Sequence, residues 1–187
     1  MSNATDPKID SLKKLGRSAL IEMAVAKMAK DYPDFDHTQY DRTFVKANDK
    51  SLIVEFQLSV AIKRGRSCYY DVVWVALAGH GSGASTQGFC DDVKYYKRTD
   101  RDMNVTTFVF NAINKSDKIG DIKDNKLPSG TKMTIRARGL YYHVETSSWS
   151  THSNFRVNKI TGGISGARHK HYMRRRDEKP EWEYIGD

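Results

Sequence analysis

With 187 residues, the chain has the length of a single domain and can bury roughly 70% of its unfolded surface. Its formal net charge is +8, because 31 Lys and Arg residues stand against 23 Asp and Glu residues. No apolar run reaches the roughly 18 residues that a membrane-spanning helix needs, and the N-terminus shows no signal-peptide pattern. The positive excess indicates an anionic partner such as nucleic acid, a membrane surface or an acidic protein, or else a simple surplus of surface lysines.

The two cysteines, Cys68 and Cys90, match no metal-binding spacing and no C-x-x-C motif. Two cysteines are typical of a reducing compartment and favour a cytoplasmic protein, although an exported chain cloned without its signal would look the same. The spacing of His169 and His171, with Lys170 between them and no thiolate nearby, favours a solvated basic run over a zinc site. We therefore expect neither a metal nor a cofactor.

The first predicted element is a long helix from Pro7 to Asp31. Asp6 is suited to the N-cap and Pro7 to the first helical position, where a missing N–H costs nothing. Apolar side chains recur on one face of this helix, and Pro33 ends it. A linker follows, in which Thr43 to Lys46 is expected to form a short strand.

The main predicted strand runs from Ser51 to Ile62. Its apolar residues alternate with polar ones, which is the period of a half-buried strand; they are Leu52, Val54, Phe56, Leu58, Val60 and Ile62. A five-residue loop containing a glycine connects it to a second strand, which is apolar on both faces and therefore central. Placing Phe56 opposite Trp74 also sets Ser59 opposite Asp71. We predict that register because it pairs polar side chains with polar side chains on the same face of the sheet.

Three further strands are predicted downstream. They are Asn104 to Ala112, a strand from Thr131, and Asn154 to Ile160. The apolar phase flips after Gly139, which indicates a β-bulge or a sharp bend. Residues 161–187 lack an apolar period, so the predicted organisation is a single α+β domain over residues 1–160 and a basic and acidic C-terminal arm over residues 161–187.

A long N-terminal helix packed on one face of a four- to six-stranded antiparallel sheet is an α+β architecture. The order of elements resembles the cystatin-like and NTF2-like layouts. That resemblance implies a helix lying against a curved sheet, and it does not fix a function.

The stretch from Gly79 to Ala84 matches the G-x-G-x-x-[GA] fingerprint of dinucleotide-binding loops. That loop works by opening a helix in a parallel βαβ unit. In this chain the preceding connection is an antiparallel hairpin and the following residues are poor helix formers. We therefore predict a flexible loop.

Polar side chains on the main strand and its neighbour could line a concave pocket. These pocket candidates are Glu55, Gln57, Ser59 and Asp71. An enzyme would need two such carboxylates with different pKa values for acid–base catalysis. The alternative interpretation is an ordinary solvent-facing side of the sheet.

Basic residues form the other candidate site. The polyanion-binding candidates are Lys63, Arg64, Arg66, Lys132, Arg136, Arg138, Arg168, Lys170, Arg174, Arg175 and Arg176. Tyr141, Tyr142 and Tyr172 are close in sequence, and cations mixed with aromatics suit phosphate neutralisation and base stacking. The alternative is a charged sheet edge that discourages aggregation.

The sequence thus supports three hypotheses. The first is a non-catalytic binding or assembly module that engages a protein partner or further copies of itself. The second is a nucleic-acid-binding protein that uses the basic strand face and arm, and the third is a small-molecule enzyme with a pocket on the curved sheet. The lack of a nucleophile or metal-binding motif disfavours the enzyme.

Overall fold

The computed structural model describes residues 7–63, 71–79, 83–85, 99–119, 122, 124–148, 150–171 and 182–186. These residues form an α+β structure with two mostly antiparallel sheets, which confirms the predicted class. They divide into two compact units. The first contains the described residues up to Leu58, those from Asp71 to Ser85, and 182–186; the second contains Ser59 to Lys63 and the residues from Thr99 to His171. The predicted boundary at residue 160 falls inside the second unit.

The described helices are α1 (Pro7–Lys13), α2 (Gly16–Asp31) and α3 (Asp100–Asn114), with a short 3-10 turn at His37–Gln39. The described strands are β1 (Arg42–Ala47), β2 (Leu52–Gln57), β3 (Val60–Lys63), β4 (Val72–Ala78), β5 (Gly83–Ser85), β6 (Lys132–Arg138), β7 (Tyr141–Ser147), β8 (Thr151–Asn158), β9 (Ile164–His171) and β10 (Glu183–Tyr184).

In the first unit, α2 packs on a sheet with the strand order β10-β1-β2-β4-β5. The buried residues of α2 are Leu20, Ala24 and Met28, which recur every four positions and so share one face. The predicted helix is interrupted between α1 and α2, where Gly16 has a φ of +80°, a conformation that favours glycine. The single predicted helix is therefore two helices.

The predicted register between the main strand and its neighbour is wrong by one residue. Phe56 lies opposite Val73, and Glu55 lies opposite Trp74. Phe56 and Val73 are both buried, so this register places two core side chains on the same face. The apolar pattern of β4 could not select the register because β4 is apolar on both faces.

The predicted strand Ser51 to Ile62 divides at Leu58 and Ser59 into β2 and β3, which belong to different sheets. The Leu58 N–H donates to the Asp71 carbonyl at 2.7 Å, whereas the Ser59 carbonyl accepts from the Met133 N–H at 2.8 Å. The apolar alternation continues across this point, so nothing in the pattern indicates that the hydrogen-bonding partner changes. One predicted sheet is therefore two sheets.

In the second unit, the predicted strand from Asn104 is instead the helix α3. Thr99 and Asp102 form a capping box, in which the Asp102 side chain accepts from the Thr99 N–H at 2.9 Å. Val109, Ala112 and Ile113 are buried at the three- and four-residue spacing of a helix. The helix prevails because its cap and buried face outweigh the β-propensity of the Val and Phe residues.

The second sheet has the order β3-β6-β7-β8-β9, with β3 parallel to β6 and the other described pairs antiparallel. The chain turns between β6 and β7 at Gly139, whose φ is +54°, and Arg138 pairs with Tyr141. The phase flip after Gly139 therefore marks a two-residue hairpin turn and not a bulge. The predicted strand at Asn154 corresponds to β8, and residues 164–171 of the predicted arm form the edge strand β9.

Gly79 occupies a position that a side chain cannot share. Its φ is +87°, and a Cβ atom there would lie 2.5 Å from the Lys50 carbonyl oxygen. We expect Gly79→Ala to lower the free energy of unfolding by about 1–2 kcal/mol through φ strain and by about 1–3 kcal/mol more through the close contact. Urea denaturation measures the loss.

Gly130→Ala provides the matched control, because Gly130 has a φ of +74° but no neighbouring atom within 4 Å of the place that a Cβ atom would take. It should show the φ strain alone. Equal losses for the two variants would contradict the close approach at Gly79.

Candidate nucleic-acid interface

The second sheet has one face covered by α3 and one face that carries most of its charge. On the covered face, the Phe108 ring of α3 lies 5.9 Å from the Tyr142 ring, and Met133, Ile135, Val144, Phe155 and Val157 are buried. Successive side chains of a strand point to opposite faces. The residues that alternate with this core therefore share the other face.

Cross-strand pairing places cations side by side on that other face. Lys63 pairs with Arg136, Arg136 pairs with His143, and His143 pairs with Arg156. Neighbouring strands lie about 4.8 Å apart, so these four residues form a row across β3, β6, β7 and β8. The row thus joins basic side chains from distant parts of the sequence.

The neighbouring rows extend the charge along the strands. Arg168 pairs with Asn154, and Lys170 pairs with His152. We call the whole surface the basic face; its Lys and Arg residues are Lys63, Lys132, Arg136, Arg138, Arg156, Arg168 and Lys170. Among the described residues of these rows, Glu145 supplies the sole carboxylate, which leaves a formal charge of +6 with the histidines neutral.

Most cations of the basic face are accessible to a ligand. Arg136, Arg138, Arg156, Arg168 and Lys170 are all exposed, while Lys63 and Lys132 are half-buried. The carboxylate of Glu145 is itself engaged, since its Oε1 lies 2.8 Å from His152 Nε2. One carboxylate stands against seven Lys and Arg side chains, so the basic face keeps a net positive charge.

Among the described residues of the basic face, Tyr141 supplies a phenol ring. Tyr141 pairs across the sheet with Asn158, and the guanidinium carbon of Arg156 lies 5.6 Å from the Tyr141 ring centroid. This distance is within the range of a cation–π contact. Tyr141 and Arg156 together offer a planar surface on which one base could stack.

The dimensions of the basic face suit an extended polyanion. Five strands span about 19 Å from β3 to β9, and successive side chains on the same face of one strand are about 6.7 Å apart. Guanidinium groups present planar donors that match phosphate oxygens in a bidentate manner. Guanidinium groups spread over β6, β8 and β9 can therefore bind separate phosphates.

Six of the predicted polyanion-binding residues meet on the basic face, namely Lys63, Lys132, Arg136, Arg138, Arg168 and Lys170. Arg64, Arg66, Arg174, Arg175 and Arg176 lie outside the described residues, as do Tyr172 and both cysteines. Arg156 was missed because no basic residue adjoins it in sequence. The polar alternation of Asn154, Arg156 and Asn158 is the signal that could have found it.

The predicted pocket residues are distributed over both units. Glu55 and Gln57 lie on the face of the first sheet away from its core, where Glu55 Oε2 accepts from Lys46 Nζ at 2.5 Å and Glu55 Oε1 accepts from the Gln57 amide. Both carboxylate oxygens are thus hydrogen-bonded to side chains. Asp71 precedes β4 in the first unit, whereas Ser59 belongs to the second unit.

The Glu55 ion pair is screened from water. The side chains of Lys46 and Glu55 are only 18% and 14% exposed, and the Lys46 ammonium lies 5.2 Å from the Trp182 ring centroid. Trp182 immediately precedes β10, which pairs with β1. This arrangement is that of a structural ion pair covered by the C-terminal residues.

The glycine-rich stretch is part of the first sheet. Gly83 lies in β5 opposite Trp74 of β4, and the two strands are antiparallel. A dinucleotide-binding loop must lead into a helix. The described part of the fingerprint leads into a strand instead. Within the described ranges, no cluster of three or more His, Cys, Asp or Glu residues is placed to hold a metal ion.

No known protein family, curated protein or solved structure matches this chain. Among the helices that the structure describes, none has the length and apolar content required to cross a bilayer.

Proposed function

We propose that the second unit binds nucleic acid through its phosphate backbone, using the basic face. The observation that carries the proposal is the cross-strand row of Lys63, Arg136, His143 and Arg156. Side chains from four strands converge there although they are widely separated in the sequence. A simple surplus of surface lysines would instead be scattered.

Three further properties support this function. The basic face is mostly exposed, its described rows carry a single carboxylate against seven Lys and Arg residues, and it is richer in Arg than in Lys. Arginine recognises phosphate with more geometric precision than lysine does. The chain as a whole is also basic, with a formal net charge of +8, which favours long-range attraction of a polyanion.

The composition of the basic face favours binding that depends weakly on base sequence. Seven of its side chains are Lys or Arg and suit phosphates, and Tyr141 is the tyrosine among its described rows. Phosphate contacts fix the position of a bound strand but carry no sequence information. We therefore expect modest discrimination between sequences, and tighter binding of single strands that can lay a base on Tyr141.

Fluorescence anisotropy with labelled single-stranded and double-stranded oligonucleotides at low salt tests the proposal. The test variant is Arg136→Gln/Arg156→Gln/Arg168→Gln, which removes three exposed guanidinium groups from the basic face. At about 1 kcal/mol per lost contact, its affinity should fall about 100-fold.

The matched control is Lys14→Gln/Lys30→Gln/Lys50→Gln, which removes the same charge from exposed positions of the first unit. It should weaken binding only slightly. Equal loss in both triple variants would contradict the assignment to the basic face. Tighter binding of polyglutamate than of any oligonucleotide would contradict a nucleic-acid partner.

A further inference from the structure

The second unit contains a pocket on the side of the sheet opposite the basic face. Its volume is about 400 Å³, within the range of small-molecule binding sites. Thr146 of β7 and Ser153 of β8 lie at its base, and Thr131 immediately precedes β6. At this end of the sheet the apolar core therefore gives way to hydroxyl groups.

The lining of the pocket is rich in groups that both donate and accept hydrogen bonds. Seven of the described lining residues are Ser or Thr, and the single ionisable side chain among them is His171. A hydroxyl can serve as donor or acceptor, so it suits a ligand that also presents hydroxyls. The described lining offers neither a carboxylate for a cationic ligand nor an ammonium or guanidinium group for an anionic one.

When the His169 imidazole is neutral, its hydrogen bonds set the direction in which one hydroxyl of this pocket donates. His169 Nε2 lies 3.3 Å from the Lys118 carbonyl oxygen, and His169 Nδ1 lies 2.8 Å from Ser153 Oγ. Because a carbonyl can only accept, the Nε2 of a neutral imidazole carries the hydrogen and Nδ1 is the acceptor. Ser153 then donates its O–H to Nδ1, and its remaining lone pairs are available to accept from a ligand.

The direction of the Ser153 hydrogen bond selects among ligands. A bound group that meets Ser153 Oγ must donate a hydrogen, as an alcohol does and as a fully ionised phosphate or carboxylate does not. Beside the hydroxyls, Ile119, Ile122 and Pro128 supply an apolar wall. A pyranose or furanose ring carries O–H groups around its rim and C–H groups on its faces, and so matches both parts of the lining.

We infer that this pocket binds a small uncharged polyhydroxylated compound, of the size of a monosaccharide or disaccharide. Most of the groups that would contact it lie on or beside β6, β7 and β8 and are held by the sheet. The inference is independent of the proposed nucleic-acid binding, because Thr146 and Ser153 are on the covered side of the same strands.

Isothermal titration calorimetry and ligand-observed NMR with the full chain test this inference. The probes are glucose, galactose, mannose, ribose, sucrose and trehalose, with inorganic phosphate and glucose 6-phosphate as charged comparisons. We expect saturable binding of at least one uncharged probe with a dissociation constant of about 1 mM or tighter.

Two variants link the binding to the pocket. Thr146→Val keeps the shape of the side chain but removes the hydroxyl, and Ser153→Ala removes the group that accepts from the ligand. Each should weaken binding about two- to tenfold. Ser165→Ala is the control, since Ser165 is exposed on β9 opposite Arg156 and does not line the pocket.

Several outcomes would overturn the inference. They are the absence of saturable binding by every uncharged probe, binding of phosphate in preference to the uncharged sugars, and an equal loss of affinity in Ser165→Ala. Because Thr146→Val preserves the volume of a buried side chain, it keeps the test interpretable if Ser153→Ala fails to fold. Oligonucleotide affinity should be unchanged in both pocket variants, which separates this result from that of the basic face.

Discussion

Phe56→Ala is expected to lower the free energy of unfolding by about 3–5 kcal/mol, because it removes a large aromatic side chain from the core of the first unit. Phe56 is fully buried in β2, and its ring centroid lies 5.4 Å from that of Phe35 and 6.1 Å from that of Tyr40. Truncation leaves a cavity that a β-strand cannot easily close. Urea denaturation monitored by circular dichroism measures the change in midpoint and slope.

Phe44→Ala supplies the comparison within the same sheet. Phe44 is half-buried on the opposite face from Phe56, where its ring lies 6.1 Å from that of Tyr184. Its loss should cost about 1–2 kcal/mol, because less apolar surface leaves contact and water can enter the space. If Phe44→Ala proved the more damaging variant, the assignment of the two sheet faces would be wrong.

The second large effect is expected from reversing charge within the cross-strand row. Arg136→Glu/Arg156→Glu removes two guanidinium groups and places two carboxylates beside Lys63 and His143. Two lost contacts and two new repulsions should reduce oligonucleotide affinity about 1,000-fold at low salt. Both side chains are exposed, so the free energy of unfolding should change by less than about 1 kcal/mol.

Lys14→Glu/Lys30→Glu changes the net charge of the protein by the same amount at exposed positions on the α1–α2 segment. This control should weaken binding by a small factor through the overall field alone. Oligonucleotide affinity that falls equally in the two double variants would indicate attraction by net charge and would contradict a defined site.

The strands β6 and β8 of the second sheet could be predicted from sequence, because their apolar residues alternate according to local rules. Met133 and Ile135 alternate with Lys132, Thr134 and Arg136, and this alternation correctly predicted a strand with a basic face. The α+β class followed in the same way. The pairing of the strands could not be predicted, because the neighbour of a strand is set by contacts between residues distant in the sequence.

One error illustrates this limit, and a second arose from a local signal that was overlooked. The alternation from Leu52 to Ile62 is continuous, yet the chain leaves one sheet at Leu58 and enters another at Ser59. In α3, a run of Val, Thr and Phe favours a strand locally, but the capping box at Thr99 and a buried helical face prevail. The spacing of Thr99 and Asp102 was visible in the sequence and is the signal that would have corrected the prediction.

The residues of the candidate site likewise fall into two groups, those predicted from a local pattern and those that only strand pairing brings to the site. Lys132, Arg136 and Arg138 were predicted as one strand face because they alternate within a single strand. Arg156 was not, since only the pairing of β7 with β8 brings it to the row through His143. The hydroxyl pocket was missed for a related reason, as its Ser and Thr residues come from several strands and loops and resemble ordinary surface positions in the sequence.

The salt dependence of oligonucleotide binding tests the central claim most directly. The slope of log Kobs against log salt concentration measures the number of phosphate contacts, at about 0.7 per contact for a single strand. The variant Arg136→Gln/Arg156→Gln/Arg168→Gln should give a slope that is shallower than the wild-type slope by about 2. An unchanged slope in this variant, or an equal decrease in Lys14→Gln/Lys30→Gln/Lys50→Gln, would contradict binding at the basic face.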